Sequence, residues 1–270
     1  MNQMKKLIYF FVLSFMVCSC QTNAEADNTQ QDKVQAIQEP ANIPFQVLNI
    51  FPHDTSSFTQ GLIWLDGKMW EGTGWYFESK LLQTDYKTGK AIKSIKLPNN
   101  EFGEGITILN NKIYQLTWQE HKVYVYDLKT LKQEKVLDWP YEGWGITTDG
   151  TSLIVSSGGS NIYWVDPTNF KITKTLGVSD HNGYVDSINE LEWINGFIFA
   201  NKYLTDYILK IDPASGLVVG KINLTGLLQQ SNQPIVSNTD VLNGIAFNPT
   251  TGTIFITGKR WPALYELKLN

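Results

Sequence analysis

One carboxylate, one lysine and several amide and aromatic side chains occupy equivalent places in five repeated segments of this chain. The segments open with Gln60, Glu104, Trp144, Asn189 and Asn243. Fourteen residues later, or sixteen in the last segment, stand Gly74, Trp118, Gly158, Tyr203 and Lys259. A glutamate can take up and return a proton, and a lysine with amide donors can stabilise a developing negative charge. The ten positions predict a catalytic pocket if the fold brings them together.

The repeated segments themselves predict the architecture that would do so. Each contains an alternating apolar strand, a tight turn and a second strand, and the copies begin 44, 40, 45 and 54 residues apart. Most copies continue into a further strand pair, as in VYVYDLKT from Val123. Repeats of about 40 to 50 residues with four strands each are typical of propeller blades. We predict an all-β fold, a five-bladed β-propeller over residues 42–270, with residues 45–50 closing the ring; two small β-sandwiches are the alternative.

The first strand of each propeller blade lines the central channel, so the opening residues are expected around one funnel. Spacing alone leaves structural interpretations open. Glu104 or Lys259 is also compatible with a structural ion pair, the aromatic side chains with packing between blades, and the asparagines with hydrogen bonds to turn backbone.

Composition and motifs exclude several classes of function. The net charge is −4 and no basic run follows residue 6, so nucleic acid is not an expected partner. The chain has no GxSxG elbow, P-loop or GxGxxG fingerprint. His53, His121 and His181 are isolated, so we expect them on the surface or in loops, and we predict no metal site. A metal-dependent, lactonase-type propeller is disfavoured because only Glu104 among the ten channel positions is acidic.

The N-terminus is typical of an export signal. Lys5 and Lys6 precede an apolar run that is too short to span a bilayer, and the run ends in Val17-Cys18-Ser19-Cys20. Small residues before Cys20 resemble the lipobox of bacterial lipoproteins; ordinary signal cleavage is the alternative. We predict a signal peptide at residues 1–19, lipidation of Cys20 and a polar, flexible tether at residues 20–41. The protein is then exported and anchored in the bacterial cell envelope, in the periplasm or at the outer membrane, through its lipid alone.

Seven ordered motifs resemble one known family. They are FTQGL (58–62), EGTGWY (71–76), FGEGIT (102–107), QLTW (115–118), EGWGIT (142–147), NELE (189–192) and LNGIAFNP with TGKRWP (242–262). Together they are similar to the plant-type glutaminyl-peptide cyclotransferases, or glutamine cyclotransferases, over residues 45–267.

The resemblance implies a five-bladed propeller that converts N-terminal glutamine to pyroglutamate with release of ammonia, without zinc. It implies that Glu104 transfers the proton, and that the pocket is formed by Gln60, Asn189 and Lys259 with aromatic walls from Phe58, Phe102, Trp118 and Trp144. It also implies that a structural calcium ion can occupy the channel, although no cofactor is required. Tyr203, where relatives tend to have Trp, and Ser157, within a stretch where they tend to read SDGS, are departures that bear on pocket width and peptide preference.

Cyclisation is an attack by the α-amine of glutamine on its own side-chain amide carbon, so the enzyme supplies conformation and proton transfer. We expect Glu104 to act as base and then acid, with a pKa raised by its aromatic surroundings. Lys259 and an amide, Gln60 or Asn189, are expected to face the developing oxyanion. The expected substrates are peptide or protein N-termini that bear glutamine, and the enzyme is expected to be a monomer. The alternative function is a lipid-anchored propeller that binds a peptide or partner protein without catalysis.

Overall fold

The computed structural model describes residues 37–231 and 233–270, which form 23 β-strands and one short 3-10 turn, η1 (Leu228–Gln230). The chain enters through β1 (Ala41–Asn42) and β2 (Phe45–Pro52). Blade 1 consists of β3 (Thr59–Leu65), β4 (Lys68–Thr73), β5 (Lys80–Asp85) and β6 (Lys90–Lys96). Blade 2 consists of β7 (Gly103–Leu109), β8 (Lys112–Thr117), β9 (Lys122–Asp127) and β10 (Gln133–Asp138).

The other three blades repeat this pattern. Blade 3 consists of β11 (Ile146–Thr148), β12 (Leu153–Ser156), β13 (Asn161–Val165) and β14 (Ile172–Gly177), and it is followed by a small hairpin of β15 (Ser179–Asp180) and β16 (Gly183–Tyr184). Blade 4 consists of β17 (Ile188–Ile194), β18 (Phe197–Lys202), β19 (Tyr207–Ile211) and β20 (Val218–Asn223). Blade 5 consists of β21 (Leu242–Asn248), β22 (Thr253–Gly258) and β23 (Ala263–Leu269), with β2 as its outermost strand.

Each blade contains four antiparallel strands, so the predicted five-bladed propeller is confirmed. The predicted closing strand is confirmed as well, because β2 pairs with β23 and joins the two ends of the ring. β1 adds a short parallel strand to β20 at the edge of blade 4. The predicted signal peptide, the lipidation site Cys20 and most of the predicted tether lie outside the described residues. None of the described helical segments is long and apolar enough to cross a membrane.

Local sequence explains the hairpins and the packing between them. The turns between the first two strands of a blade place Asp66, Asn110 and Asn195 at positive φ, a conformation that Asp and Asn tolerate better than most residues. Apolar side chains from neighbouring blades then pack face to face. Where the ring closes, Trp64 of blade 1 stacks on Phe255 of blade 5 with ring centroids 4.8 Å apart. An aromatic pair of this kind contributes about 0.5–1.5 kcal/mol beyond its buried area.

Four of the five inner strands carry a β-bulge at the residue that opens the repeat. The pairing of β3 with β4 shifts between Thr59 and Gly61, which leaves Gln60 outside the regular ladder. The same irregularity surrounds Glu104 in β7, Asn189 in β17 and Asn243 in β21. A bulge bends its strand and re-aims a side chain, so these irregularities turn the polar residues toward the propeller axis.

Glycine follows the opening residue in four blades and lets the inner strands approach closely. A Cβ atom on Gly61 would lie only 2.4 Å from the backbone nitrogen of Ile106, and Gly105 and Gly145 face backbone atoms of the next blade at similar distances. Blade 4 has Glu190 at the equivalent position. The four glycines thus leave space near the axis that one long side chain can occupy.

Candidate active site

A cavity of about 450 Å³ opens at the end of the propeller where the inner strands begin. All nine pocket residues named from the sequence line it, and two more residues join them. The lining residues are Phe58, Gln60, Trp75, Tyr76, Phe102, Glu104, Trp118, Trp144, Asn189, Tyr203 and Lys259. The structure therefore brings the predicted catalytic pair and the predicted substrate-binding residues together in one place.

Three of the ten channel positions lie behind the cavity instead of lining it. Asn243 is fully buried. Gly74 and Gly158 support aromatic walls, because a Cβ atom on Gly74 would lie 2.2 Å from the ring of Phe102 and one on Gly158 would lie 2.6 Å from the ring of Trp144. These two glycines are needed for space behind the rings.

The two lining residues that sequence reasoning missed are Trp75 and Tyr76, in the loop between β4 and β5. Trp75 is 48% exposed and has a φ of 94°, an unfavourable conformation for a bulky residue. Its ring packs edge-on against Phe58, 5.1 Å between centroids. Both residues stand in the EGTGWY motif, directly after Gly74, so the motif was the available signal.

Glu104 is the carboxylate of the cavity, and it is only 5% exposed. Its Oε1 accepts a hydrogen bond from Gln60 Nε2 at 3.3 Å. Gln60 is itself oriented, because Asn243 Nδ2 donates to Gln60 Oε1 at 3.3 Å and to the carbonyl oxygen of Thr59 at 3.0 Å. Burial raises the pKa of Glu104 well above its ordinary value; Lys259 lowers it, and the charges of Glu142 and Glu120 raise it further.

Lys259 is 4% exposed and lies between two aromatic rings. Its Nζ is 4.8 Å from the ring centroid of Phe58 and 5.0 Å from that of Tyr203, within the range of cation–π contacts. Burial lowers the pKa of Lys259, against the raising influence of the Glu104 and Asp240 charges. Lys259 forms no ion pair with any carboxylate of the residues that the structure describes, so its N–H donors are available to a substrate.

A buried polar cluster holds the loop that carries Phe58. Thr59 Oγ1 donates to Glu71 Oε1 at 2.7 Å, and His53 Nε2 lies 3.2 Å from the same oxygen. His53 Nδ1 lies 2.8 Å from the carbonyl oxygen of Trp261, next to the segment that carries Lys259. His53 lies in a loop, as expected. Its side chain is only 7% exposed, so His53 is not a surface residue.

Asn189 contributes an acceptor to the cavity. Its Oδ1 is buried and has no hydrogen-bond partner among the residues that the structure describes. A buried polar atom without a partner costs free energy, so it commonly marks a place where a ligand or water completes the bonding. The amide of Asn189 is therefore suited to receive an N–H group of a bound molecule.

Two further carboxyl groups, outside the ten channel positions, lie on the inner strand of blade 4. Glu190 is buried, with 1% of its surface exposed, and Glu192 is half-buried. Glu190 accepts backbone N–H groups from Leu62 at 3.3 Å and Ile245 at 3.0 Å, so one side chain ties blade 4 to blades 1 and 5. The ten channel positions include only one residue from the start of each inner strand. Glu190 is not among them, because the bulge turns two consecutive residues, Asn189 and Glu190, inward. Burial raises the pKa of Glu192 to about 8 and that of Glu190 well above its ordinary value.

The cavity thus combines a carboxyl group whose pKa burial raises well above its ordinary value, an ammonium group that forms no ion pair within the described part of the chain, and apolar walls. This combination suits a reaction in which a proton moves between two nitrogen atoms while a negative charge develops on oxygen.

Three comparisons place these features among known proteins. A sequence model of the glutamine cyclotransferase family matches residues 12–269. The chain is 38% identical to the glutaminyl-peptide cyclotransferase of Arabidopsis thaliana over 230 residues, which are 83% of this chain and 71% of that protein. The crystal structure of Myxococcus xanthus glutaminyl cyclase superposes with a TM-score of 0.80 at 34% identity, covering 86% of this chain and 99% of that one.

Proposed function

This chain belongs to the glutamine cyclotransferase family, and we propose that Glu104 and Lys259 carry its reaction in the cavity at the end of the propeller. The enzyme is a glutaminyl-peptide cyclotransferase that converts N-terminal glutamine into pyroglutamate with release of ammonia. One observation supports the residue assignment most directly. A single buried carboxyl group of raised pKa shares an aromatic-walled cavity with a single buried ammonium group.

The aromatic walls hold the substrate's first residue. The reaction is intramolecular, so rigid walls that favour the ring-closing conformation lower the barrier by restricting the chain before attack. Asn189 Oδ1 accepts an N–H group of the glutamine, which gives this buried atom the partner that it otherwise lacks. The walls also exclude water, which strengthens every electrostatic interaction inside.

Glu104 transfers the proton. As the α-amine nitrogen bonds to the side-chain amide carbon, the nitrogen gives up one proton to the carboxylate. Glu104 then returns that proton to the amide nitrogen, whose bond to carbon breaks as ammonia leaves. A group that acts as base and then acid works best with a pKa near the working pH, and burial shifts the pKa of Glu104 in that direction.

Lys259 stabilises the oxygen of the former amide carbonyl. That oxygen carries a negative charge in the tetrahedral intermediate, and a donor fixed in a dry pocket stabilises it far more than water would. The rings of Phe58 and Tyr203 position the ammonium group. Of the two amides expected to face the oxyanion, Gln60 already donates through its amide nitrogen to Glu104. We therefore assign the amide donor beside the oxyanion to Asn189 Nδ2, while Asn189 Oδ1 accepts the substrate N–H group.

We propose that the enzyme needs no metal. Glu190 and Glu192 already accept backbone N–H groups, and no three His, Cys, Asp or Glu side chains converge among the described residues. This donor set does not fit the six to eight oxygen ligands, roughly, that calcium requires.

Turnover of a short glutamine-initiated peptide tests the proposal. The purified protein should release ammonia and product with the matching mass loss, equally with and without chelator. A peptide with glutamine only at an internal position should not react. Loss of activity in chelator would overturn the metal-free proposal, and turnover by Glu104→Gln at near wild-type rate would overturn the residue assignment.

We further propose that the enzyme is lipid-anchored through Cys20 and acts on N-termini of exported proteins as a monomer. The sequence around Cys20 supports the anchor, while that residue lies outside the described part of the chain. Cells that express the protein with a fatty-acid analogue should label the wild-type chain but not Cys20→Ser. Label on the serine variant would contradict the anchoring site.

A further inference from the structure

Glu142 lies behind the cavity and joins two of its walls. Its Oε2 accepts the indole N–H of Trp118 at 2.8 Å and that of Trp144 at 3.0 Å, and its Oε1 accepts from Gln119 Nε2 at 3.1 Å. Trp118 directly follows the return strand of blade 2, whereas Trp144 precedes the inner strand of blade 3. One carboxylate therefore fixes aromatic walls that belong to two different blades.

The segment around Glu142 is held firmly in place. Gly143 N donates to the carbonyl oxygens of Thr117 and Trp118, and a Cβ atom on Gly143 would lie 2.4 Å from the first of these oxygens. Trp139 Nε1 donates to the carbonyl oxygen of Glu142 itself. The backbone that carries the carboxylate is thus held by contacts other than the two indole N–H groups.

The bonding also changes what the two rings can bind. Trp118 and Trp144 line the cavity, while their N–H edges are directed to Glu142, which does not line it. A carboxylate on an indole N–H places negative charge at the edge of the ring and strengthens the negative potential of its face. An aromatic face with that potential attracts a cation, and the attraction grows as water is excluded.

We propose that Glu142 is a positioning residue that makes Trp118 and Trp144, here called the indole pair, a binding site for the substrate's cationic α-amino group. This inference rests on the proposed function. A free α-amino group has a pKa near 7.7–8.0, so most substrate arrives as the ammonium ion at neutral pH. The ammonium group must release one proton to solvent before its nitrogen can attack, and the nitrogen becomes positively charged again as it bonds to carbon, before Glu104 accepts the second proton. The indole pair therefore stabilises both the bound substrate and the transition state.

The cavity has two cation sites with different occupants. Phe58 and Tyr203 hold the ammonium group of Lys259 on one side. None of the lysine or arginine cations in the described residues lies over the indole pair. The second pair of rings is therefore available to an external cation, and the α-amino group is the cation that every peptide substrate brings.

Glu142→Gln in the full-length protein tests this proposal, with Glu134→Gln as a matched control. Glu134 is an acidic residue of the outer strand β10 in blade 2, paired with Lys112. An interaction made equally in ground state and transition state acts mainly on KM. We expect Glu142→Gln to raise KM for a glutamine-initiated peptide roughly 5- to 30-fold and to change kcat less than about threefold. Glu134→Gln should leave both unchanged.

Two inhibitors of similar shape separate charge from packing. Tetramethylammonium carries a fixed positive charge, and tert-butanol is neutral. At constant ionic strength the wild-type enzyme should bind tetramethylammonium at least roughly tenfold more tightly, and Glu142→Gln should lose most of that preference. An unchanged preference alongside a raised KM would mean that Glu142 only packs the walls, and an unchanged KM would equally overturn the proposal.

A third measurement tests cation binding by the indole pair without relying on catalytic activity. The indole N–H signals of Trp118 and Trp144 in proton–nitrogen correlation spectra should shift as tetramethylammonium is added, and the response should weaken in Glu142→Gln. If the wild-type protein failed to cyclise the peptide, the proposed function would fall, and this titration would still decide whether the indole pair binds cations. Wild-type signals that do not move with tetramethylammonium would overturn the cation site.

Discussion

Glu104 and Glu190 both lie in the central channel, but they differ in their hydrogen-bond donors and in their access to the cavity. Each sits at a bulge in an inner strand, is almost fully buried and has a pKa raised well above the ordinary value by burial. Glu190 accepts two backbone N–H groups from other blades. Glu104 accepts one side-chain donor, from Gln60, and borders a cavity of about 450 Å³.

The same fold therefore uses a buried carboxyl group in two ways. Backbone donors are fixed, so Glu190 is held in one arrangement and joins blades. A side-chain donor and an adjacent cavity leave Glu104 able to bond with, and exchange a proton with, a ligand. A raised pKa by itself does not separate the two roles, because burial produces it in both places.

The sharpest test of this comparison is the same substitution at both sites. Glu104→Gln removes the proton carrier but keeps an acceptor for Gln60, so kcat should fall by about 10²–10⁴ while KM changes little. Glu190→Gln should keep kcat within about threefold of wild type. It should lose about 1–3 kcal/mol of unfolding free energy, because an amide NH2 group would then face a backbone N–H. Steady-state kinetics and urea unfolding of both variants measure these changes. A large loss of kcat in Glu190→Gln would contradict a purely structural role for Glu190.

Replacing Lys259 tests the other half of the proposed machinery. Lys259→Met keeps an unbranched side chain between Phe58 and Tyr203 but removes the charge. Loss of an oxyanion donor should lower kcat by about 10²–10³. Single-turnover measurements with circular dichroism as a folding control check this prediction. A variant whose KM rises while kcat is preserved would instead assign Lys259 to substrate binding.

The repeats in the sequence were sufficient to predict the propeller and most of the site. A propeller fixes where each inner strand begins, so five repeats in phase identify the residues that meet at one end, and Gln60, Glu104, Trp144 and Asn189 do line the cavity. The hairpin spacing likewise predicted that Lys259, at the end of the return strand of blade 5, would lie at the same end of the channel, and Lys259 does line the cavity. Both predictions depend only on strand length and hairpin geometry, which the chain itself encodes.

The residues that were missed depend on irregular backbone. Trp75 and Tyr76 lie in a loop in which no periodic rule defines side-chain direction. Strict alternation would turn Asn189 inward and Glu190 outward, yet the bulge in β17 buries both. Glu142 was absent from the predicted site because its role consists of hydrogen bonds to ring edges on two blades, and such contacts exist only in the folded arrangement.

Glu192 extends the comparison to stability. Its pKa is raised from 4.5 to about 8 by burial, so between these values the folded state holds a proton that the unfolded state has lost. This group therefore makes the protein less stable as pH rises from about 5 to about 8, by an amount on the order of 1–3 kcal/mol. In Glu192→Gln the amide can still accept from Phe247 N and can donate to Thr147 Oγ1, atoms that Glu192 already contacts. Urea unfolding at pH 5 and pH 8 should show a smaller loss of stability in the variant than in wild type, and equal losses would contradict the raised pKa.

The smallest expected effect is a shift in the pH dependence of kcat. Glu104 must be ionised to accept the proton, so kcat should rise with pH through its pKa in the enzyme–substrate complex. Glu142 and Glu120 raise that pKa by their negative charge, and Lys259 lowers it. Glu142→Gln should therefore move the acidic limb of the kcat profile to lower pH, and Glu120→Gln should move it in the same direction. The residual activity of Lys259→Met should show the limb at higher pH, because an opposing positive charge is lost. Limbs that move together in all three variants would indicate that the substitutions disturb the packing around Glu104 instead of its electrostatic surroundings.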